Sequence, residues 1–161
     1  MTALTLPAQV VLRPVTGDDH EFLVGLYAST RADLALLPLD EEQRDDLVRM
    51  QFHAQDLHYR QTSPNGSFDL VEIDGKPVGR LYVDRTVGDI RIIDVSLLPS
   101  LRAAGIGSAL IRAVQDEAAA TDRTVSLHVA MGNRAEVLYE RLGFRLSADL
   151  GVYRLLEWRA P

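Results

Sequence analysis

The stretch from Asp89 to Ala113, D-I-R-I-I-D-V-S-L-L-P-S-L-R-A-A-G-I-G-S-A-L-I-R-A, constrains the fold of this 161-residue chain more than any other. It predicts a buried strand over Ile90 to Leu98, a turn marked by Pro99, a loop of small residues and then an amphipathic helix. Between Arg102 and Ile106 no side chain exceeds alanine. Backbone N–H groups can therefore come close to a bound anion, and the helix that follows aims its positive dipole end into the same space. A strand that feeds a glycine-containing loop at the head of a helix is built to hold a phosphate or pyrophosphate.

Three phosphate loops compete for this pattern. A Walker loop needs Lys and then Ser or Thr after its last glycine, and here Ser108-Ala109 follow. A dinucleotide fingerprint needs a third small residue three positions after Gly107, and that position is Leu110. The third is the Arg/Gln-x-x-Gly-x-Gly/Ala loop that grips the pyrophosphate of coenzyme A. Over V-S-L-L-P-S-L-R-A-A-G-I-G-S-A-L-I, and again over L-H-V-A-M-G-N-R-A-E-V-L-Y-E-R-L-G-F, the chain resembles the GNAT superfamily of acyl-CoA-dependent N-acyltransferases. Two motifs in the right order, about thirty residues apart, are far more specific than either alone.

Composition narrows the alternatives. Apolar residues make up 47% and charged residues 25%, which is ordinary for a globular protein of one domain, expected here over 1–161. No run reaches the ~18 apolar residues of a membrane span, and the N-terminus lacks a basic-then-apolar leader, so a cytoplasmic location and no membrane partner are expected. With no cysteine there is no disulfide, no thiolate metal site and no cysteinyl acyl-enzyme; no metal is expected. The net charge of −6 disfavours a nucleic-acid partner and mildly favours a cationic amine. A homodimer is the one higher assembly left open.

Along the chain, Gln9–Val15 reads as a first strand. A helix over Glu21–Arg31 presents Phe22, Leu23, Leu26, Tyr27 and Thr30 on one face. Asp40 with Gln43 forms a capping box for a second helix, where Leu47, Met50, Ala54 and Leu57 recur at helical spacing as a core stripe. The acidic run Asp40–Asp46 is then a solvated helix start. Phe68–Ile73 and Pro77–Val83 are strands joined by Asp74-Gly75-Lys76, a hairpin signal, and Thr124–Ala130 is a strand that should run parallel to Asp89–Leu98. Asn133 with Glu136 makes a second capping box, and Phe144–Ala148 with Val152–Trp158 closes the chain as a hairpin. The fold class is α/β: a mixed sheet of about seven strands with helices on both faces.

The resemblance implies further particulars. Two parallel central strands splay apart, and the pantetheine arm of CoA lies in the gap against the free backbone of Val95 to Leu97. Arg102 heads the pyrophosphate loop, and Ala103, Ala104, Gly105, Ile106, Gly107 and Ser108 supply N–H donors, with Ala103 standing where the family often has glycine. Asn133-Arg134-Ala135-Glu136-Val137-Leu138-Tyr139 is similar to the family's Asn-x-x-Ala-x-x-Leu-Tyr but one residue short. Either Gly132 or Asn133 then takes the Asn position, and Asn133, able to cap the helix and face the CoA arm, is preferred. Tyr139 is the candidate general acid for the departing thiolate, whose conjugate acid titrates near ~8.5. For the base, Asp94 and His128 are the leading candidates. His53, His58, Tyr59 and a chain of waters stand behind them. The implied reaction is direct attack of an amine on acetyl-CoA in a ternary complex, with an acyl-CoA-binding module that turns nothing over as the rival.

Overall fold

In the computed structural model, which describes residues 4–102 and 104–161, a seven-stranded sheet runs in the order β1-β2-β3-β4-β5-β7-β6. The strands are β1 (Val10–Pro14), β2 (Ser67–Ile73), β3 (Lys76–Thr86), β4 (Asp89–Leu97), β5 (Thr124–Ala130), β6 (Arg145–Asp149) and β7 (Tyr153–Trp158). The helices are α1 (His20–Ser29), α2 (Glu41–Thr62), α3 (Ile106–Ala120) and α4 (Ala135–Arg141). Every pairing is antiparallel except β4 with β5, which are joined through α3 and run parallel.

Two apolar clusters lie on opposite faces of the sheet. On one, Leu110, Ile111 and Val114 of α3 pack with Leu81, Ile90, Ile92, Val125 and Leu127. On the other, Leu23, Leu26 and Tyr27 of α1 and Val48 and Phe52 of α2 cover Leu70. Successive strand residues supply the two faces in turn, as Leu70 and Val71 do. Among the described residues no helix is long and apolar enough to cross a membrane.

Two local expectations are corrected. The predicted core stripe of α2 is wrong: Met50 is 62% and Leu57 49% exposed, Ala54 is exposed, and Leu47 only half-buried. The face turned inward carries Val48 and Phe52 and then, one turn and two turns on, the half-buried Gln55 and Tyr59. Apolar spacing cannot find a face whose second half is polar. The second capping box is half formed. Asn133 Oδ1 accepts the Ala135 N–H at 2.9 Å, but the Glu136 carboxylate turns away to Arg154 at 2.7 Å. The box at Asp40 and Gln43 closes in both directions, at 2.8 and 3.1 Å.

Candidate active site

The parallel pair β4–β5 stays in register only from Asp89↔Thr124 to Ile92↔Leu127. The cause is visible on the other side of β4. Tyr82 of β3 faces Asp94 while Val83 faces Ile92, so Ile93 is an extra residue, a β-bulge. A bulge bends its strand and ends regular pairing, and here it turns the rest of β4 away from β5. From Ile93 to Leu97 the β4 backbone edge toward β5 has no strand partner, and the same holds for β5 from His128 to Ala130. Behind β4, Gly79 lies opposite Leu97, and a Cβ there would collide with the carbonyl oxygen of Ser96. A glycine at 79 therefore lets β3 hold the splayed segment of β4 closely.

At the end of β4 the loop turns into α3. Gly105 sits at the helix start with φ +85°, a left-handed conformation that glycine adopts without strain. The first intrahelical bond runs from Ala109 N–H to the Gly105 carbonyl at 3.0 Å, and the N–H groups of Ile106, Gly107 and Ser108 have no partner among the described residues. The Ala104 N–H turns inward to the Leu101 carbonyl at 3.3 Å. Arg102 folds back rather than forward: its guanidinium donates to the Leu97 carbonyl at 3.2 Å and to the carbonyl and hydroxyl of Ser29 at 3.3 and 3.2 Å. It thereby ties the loop to the C-terminal end of α1. Ala103, expected among the donors, lies outside the described residues.

Asp94, just past the bulge, is the hub of a buried polar network. Its Oδ1 accepts from Ser96 Oγ at 2.6 Å and Arg80 Nε at 3.3 Å; its Oδ2 accepts from Tyr59 Oη at 2.8 Å and Arg80 Nη2 at 3.0 Å. Four donors fill the lone-pair sites of one carboxylate. Arg80 Nη2 donates also to Gln55 Oε1 at 2.8 Å, and the guanidinium lies 4.9 Å from the Tyr82 ring centroid. The Arg80 side chain is 2% exposed and that of Asp94 12%. Burial opposes the Arg80 charge most strongly, but the Asp94 carboxylate together with the Tyr82 and Tyr59 hydroxyls outweighs it and the arginine is held protonated. Arg80 Nη1 and the Tyr82 hydroxyl are buried without a partner. None of Arg80, Gln55, Tyr82 or Ser96 is singled out by the sequence reading. The signal that could have found them is an arginine alternating with buried residues in mid-strand, P-V-G-R-L-Y-V.

Tyr139 stands on α4, its ring edge-on to Phe144 at 5.8 Å. Burial, with the Asp94 charge adding to it, pushes its hydroxyl up to about 12. The Asp94 carboxylate is thus within electrostatic reach of the Tyr139 hydroxyl. His128 is the first β5 residue beyond the paired segment and is exposed. Its Nδ1 lies 3.3 Å from Arg91 Nη1, and a guanidinium only donates, so Nδ1 accepts and Nε2 carries the proton. Partial burial, then the Arg91 charge, lowers the imidazole below its ordinary value and keeps it neutral near pH 7. His53 and His58 are exposed on α2. The acidic start of α2 lies roughly 20–28 Å from Tyr59 at about 1.5 Å per residue. The open depression of about 570 Å³ lined by Asp40, Glu41, Glu42 and Asp45 belongs to that far end.

A family profile described as acetyltransferase (GNAT) family matches residues 33–144, well over half of the chain. The chain belongs to that family. Solved structures share the GNAT fold across nearly its whole length. An acetyltransferase from Thermus thermophilus is 19% identical and superposes with a TM-score of 0.70, covering 97% of this chain and 100% of its own. The PaiA N-acetyltransferase from Thermoplasma acidophilum, solved in complex with coenzyme A, is 16% identical with a TM-score of 0.69, covering 94% and 99%. A Corynebacterium glutamicum protein described as histone acetyltransferase HPA2 and related acetyltransferase is 24% identical with a TM-score of 0.63, covering 95% and 97%. No curated protein matches the sequence.

GNAT enzymes are acyltransferases that use acetyl-CoA, and this chain has the features to take it. The free edge of β4 offers backbone groups to an extended amide chain, as an added strand would. The unpaired N–H groups at the head of α3 offer donors to an anion. A Cβ at Gly107 would meet only Leu97 Cδ1, at 3.7 Å, so a side chain there is compatible with the fold while adding bulk and charge at the head of α3. Gly107→Asp is therefore expected to weaken CoA by about 10-fold or more, since a lost charge-assisted contact is worth ~1.5–3 kcal/mol. Calorimetry on the folded variant checks this, and unchanged affinity would remove the loop from the CoA site.

Proposed function

We infer that this GNAT protein transfers the acetyl group of acetyl-CoA to a primary amine by direct attack in a ternary complex. The observation that supports the reading is the splay: an unpaired β4 edge, with the loop to α3 following its last residue and the Asp94 network beside the bulge. Acetyl-CoA supplies the activated acyl group. The protein's part is binding, alignment and a hydrogen bond to the leaving sulfur. Backbone groups of Val95 to Leu97 hold and polarise the acyl carbonyl, the amides from Gly105 to Ser108 hold the pyrophosphate, and Asn133 caps α4 beside the CoA arm. Tyr139, protonated throughout the neutral range, donates to the sulfur. Asp94 anchors the network, and the amine's proton departs to water, since the Asp94 and His128 lone pairs are already engaged.

That engagement favours the second reading, an acyl-CoA-binding module without turnover, because both candidate bases, Asp94 and His128, already have their lone pairs occupied. One assay separates the two. Acetyl-CoA incubated with the protein and benzylamine, spermidine or trialanine is expected to release free CoA at a rate that rises with the un-ionised fraction of the amine. CoA binding with no release from any amine would establish the module instead.

A further inference from the structure

The inward face of α2 carries Val48 and Phe52 against the core, and then Tyr59 at the mouth of the splay. A polar residue at a position that helical periodicity assigns to the core marks a site under a constraint other than packing. The constraint here is directional. Tyr59 donates its only proton to Asp94 Oδ2 at 2.8 Å, and no donor among the described residues reaches its oxygen. Burial, then the Asp94 charge, raises the phenol well above its ordinary value, so the proton stays in place. A phenol whose proton is committed to a carboxylate presents its oxygen lone pair in a fixed direction.

We propose that Tyr59 is a substrate-binding residue of this transferase: its oxygen accepts an N–H of the incoming amine and turns the amine's lone pair toward the acyl carbon. The proposal rests on the transfer reading above. The N–C bond forms as the C–S bond breaks, the thiolate departs in a hydrogen bond from Tyr139, the amine's surplus proton passes through water to that sulfur, and the Tyr139 and Tyr59 O–H bonds stay intact. Arg80 gives the arrangement its selectivity. A bare carboxylate in a half-buried site favours the ammonium form, which has no lone pair to attack with. The Arg80 guanidinium neutralises Asp94 at 3.0 Å, so the neutral amine is the form that the Tyr59 oxygen selects.

The test uses the full chain loaded with acetyl-CoA and the amines benzylamine, spermidine and trialanine. Tyr59→Phe keeps the ring contacts with Tyr82 and Arg80 and removes only the hydroxyl. The expected result is a fall in kcat/KM of about 10-fold or more, carried mainly by the KM for the amine, with acetyl-CoA affinity unchanged. Gln55→Met, which disturbs the same network through Arg80 without touching the Tyr59 hydroxyl, is expected to lower Tm while costing much less kcat/KM than Tyr59→Phe. Unchanged kcat/KM in Tyr59→Phe overturns the proposal, as does an equal loss in Gln55→Met, which would assign the effect to network rigidity. If the parent binds an amine by calorimetry yet releases no CoA, the transfer reading fails alone, and Tyr59 stands or falls on whether Tyr59→Phe weakens that binding. A parent that neither binds nor acetylates any of the three overturns both.

Discussion

Tyr139→Phe is expected to lower turnover by roughly 10²–10⁴-fold, the usual worth of a positioned acid, while CoA affinity barely moves. The substitution keeps the ring against Phe144 and takes away only the proton. At about 12 the Tyr139 hydroxyl lies well above a thiol near ~8.5. It is therefore always protonated at neutral pH, yet a weak acid, and its contribution is a hydrogen bond that strengthens as charge gathers on the sulfur. Such a bond matters less for a better leaving group. The loss should shrink for an acetyl donor with a more acidic thiol, and measuring the variant with two donors of different thiol acidity checks it. Equal losses with both, or a loss of stability without a loss of rate, would return Tyr139 to the core.

Arg80→Met is expected to lower folding stability by about 3–5 kcal/mol, the cost of stranding one partner of a buried ion pair. For a chain of this length that is a fall in Tm of roughly 6–20 °C. With Arg80 gone, Asp94 loses two of its four donors, Gln55 Oε1 loses its partner, and a carboxylate whose side chain is 12% exposed keeps its charge uncompensated. The double variant Arg80→Met with Asp94→Leu should recover much of that loss, because removing both charges removes the desolvation penalty with them. Thermal unfolding of the single and double variants decides the matter. A single variant as stable as the parent would mean that the pair is solvated and exerts no hold on β4.

The strand, loop and helix from Val95 to Ala113 were legible in the chain because the pattern is local. A phosphate loop needs a strand end, small residues and a helix start in immediate succession, and Val95 to Ala113 carries them in that order. The strand order around β4 and β5 follows from one helix between two strands. Tyr139 is singled out by the sequence for the same reason, as the last residue of a motif with fixed spacing. Arg102 shows where locality ends: its place at the head of the loop is written in sequence, but its guanidinium is claimed by Ser29, which comes near only when α1 packs against the end of β4.

The Asp94 network was decided by tertiary structure. Which face of α2 turns inward could not be read from Leu47, Met50, Ala54 and Leu57, because the true inward face becomes polar at Gln55 and Tyr59, where it meets the site. Arg80, Asp94, Tyr59 and Gln55 come from two strands and a helix separated by up to 39 positions of sequence. No spacing rule connects them. What connects them is the bulge at Ile93, which opens the sheet and brings Asp94 under α2. A sequence records the residues that neighbour one another along the chain. The hydrogen bonds that occupy the Asp94 lone pairs, and so govern what that carboxylate can do to a proton, exist only after the two faces of the sheet have been covered.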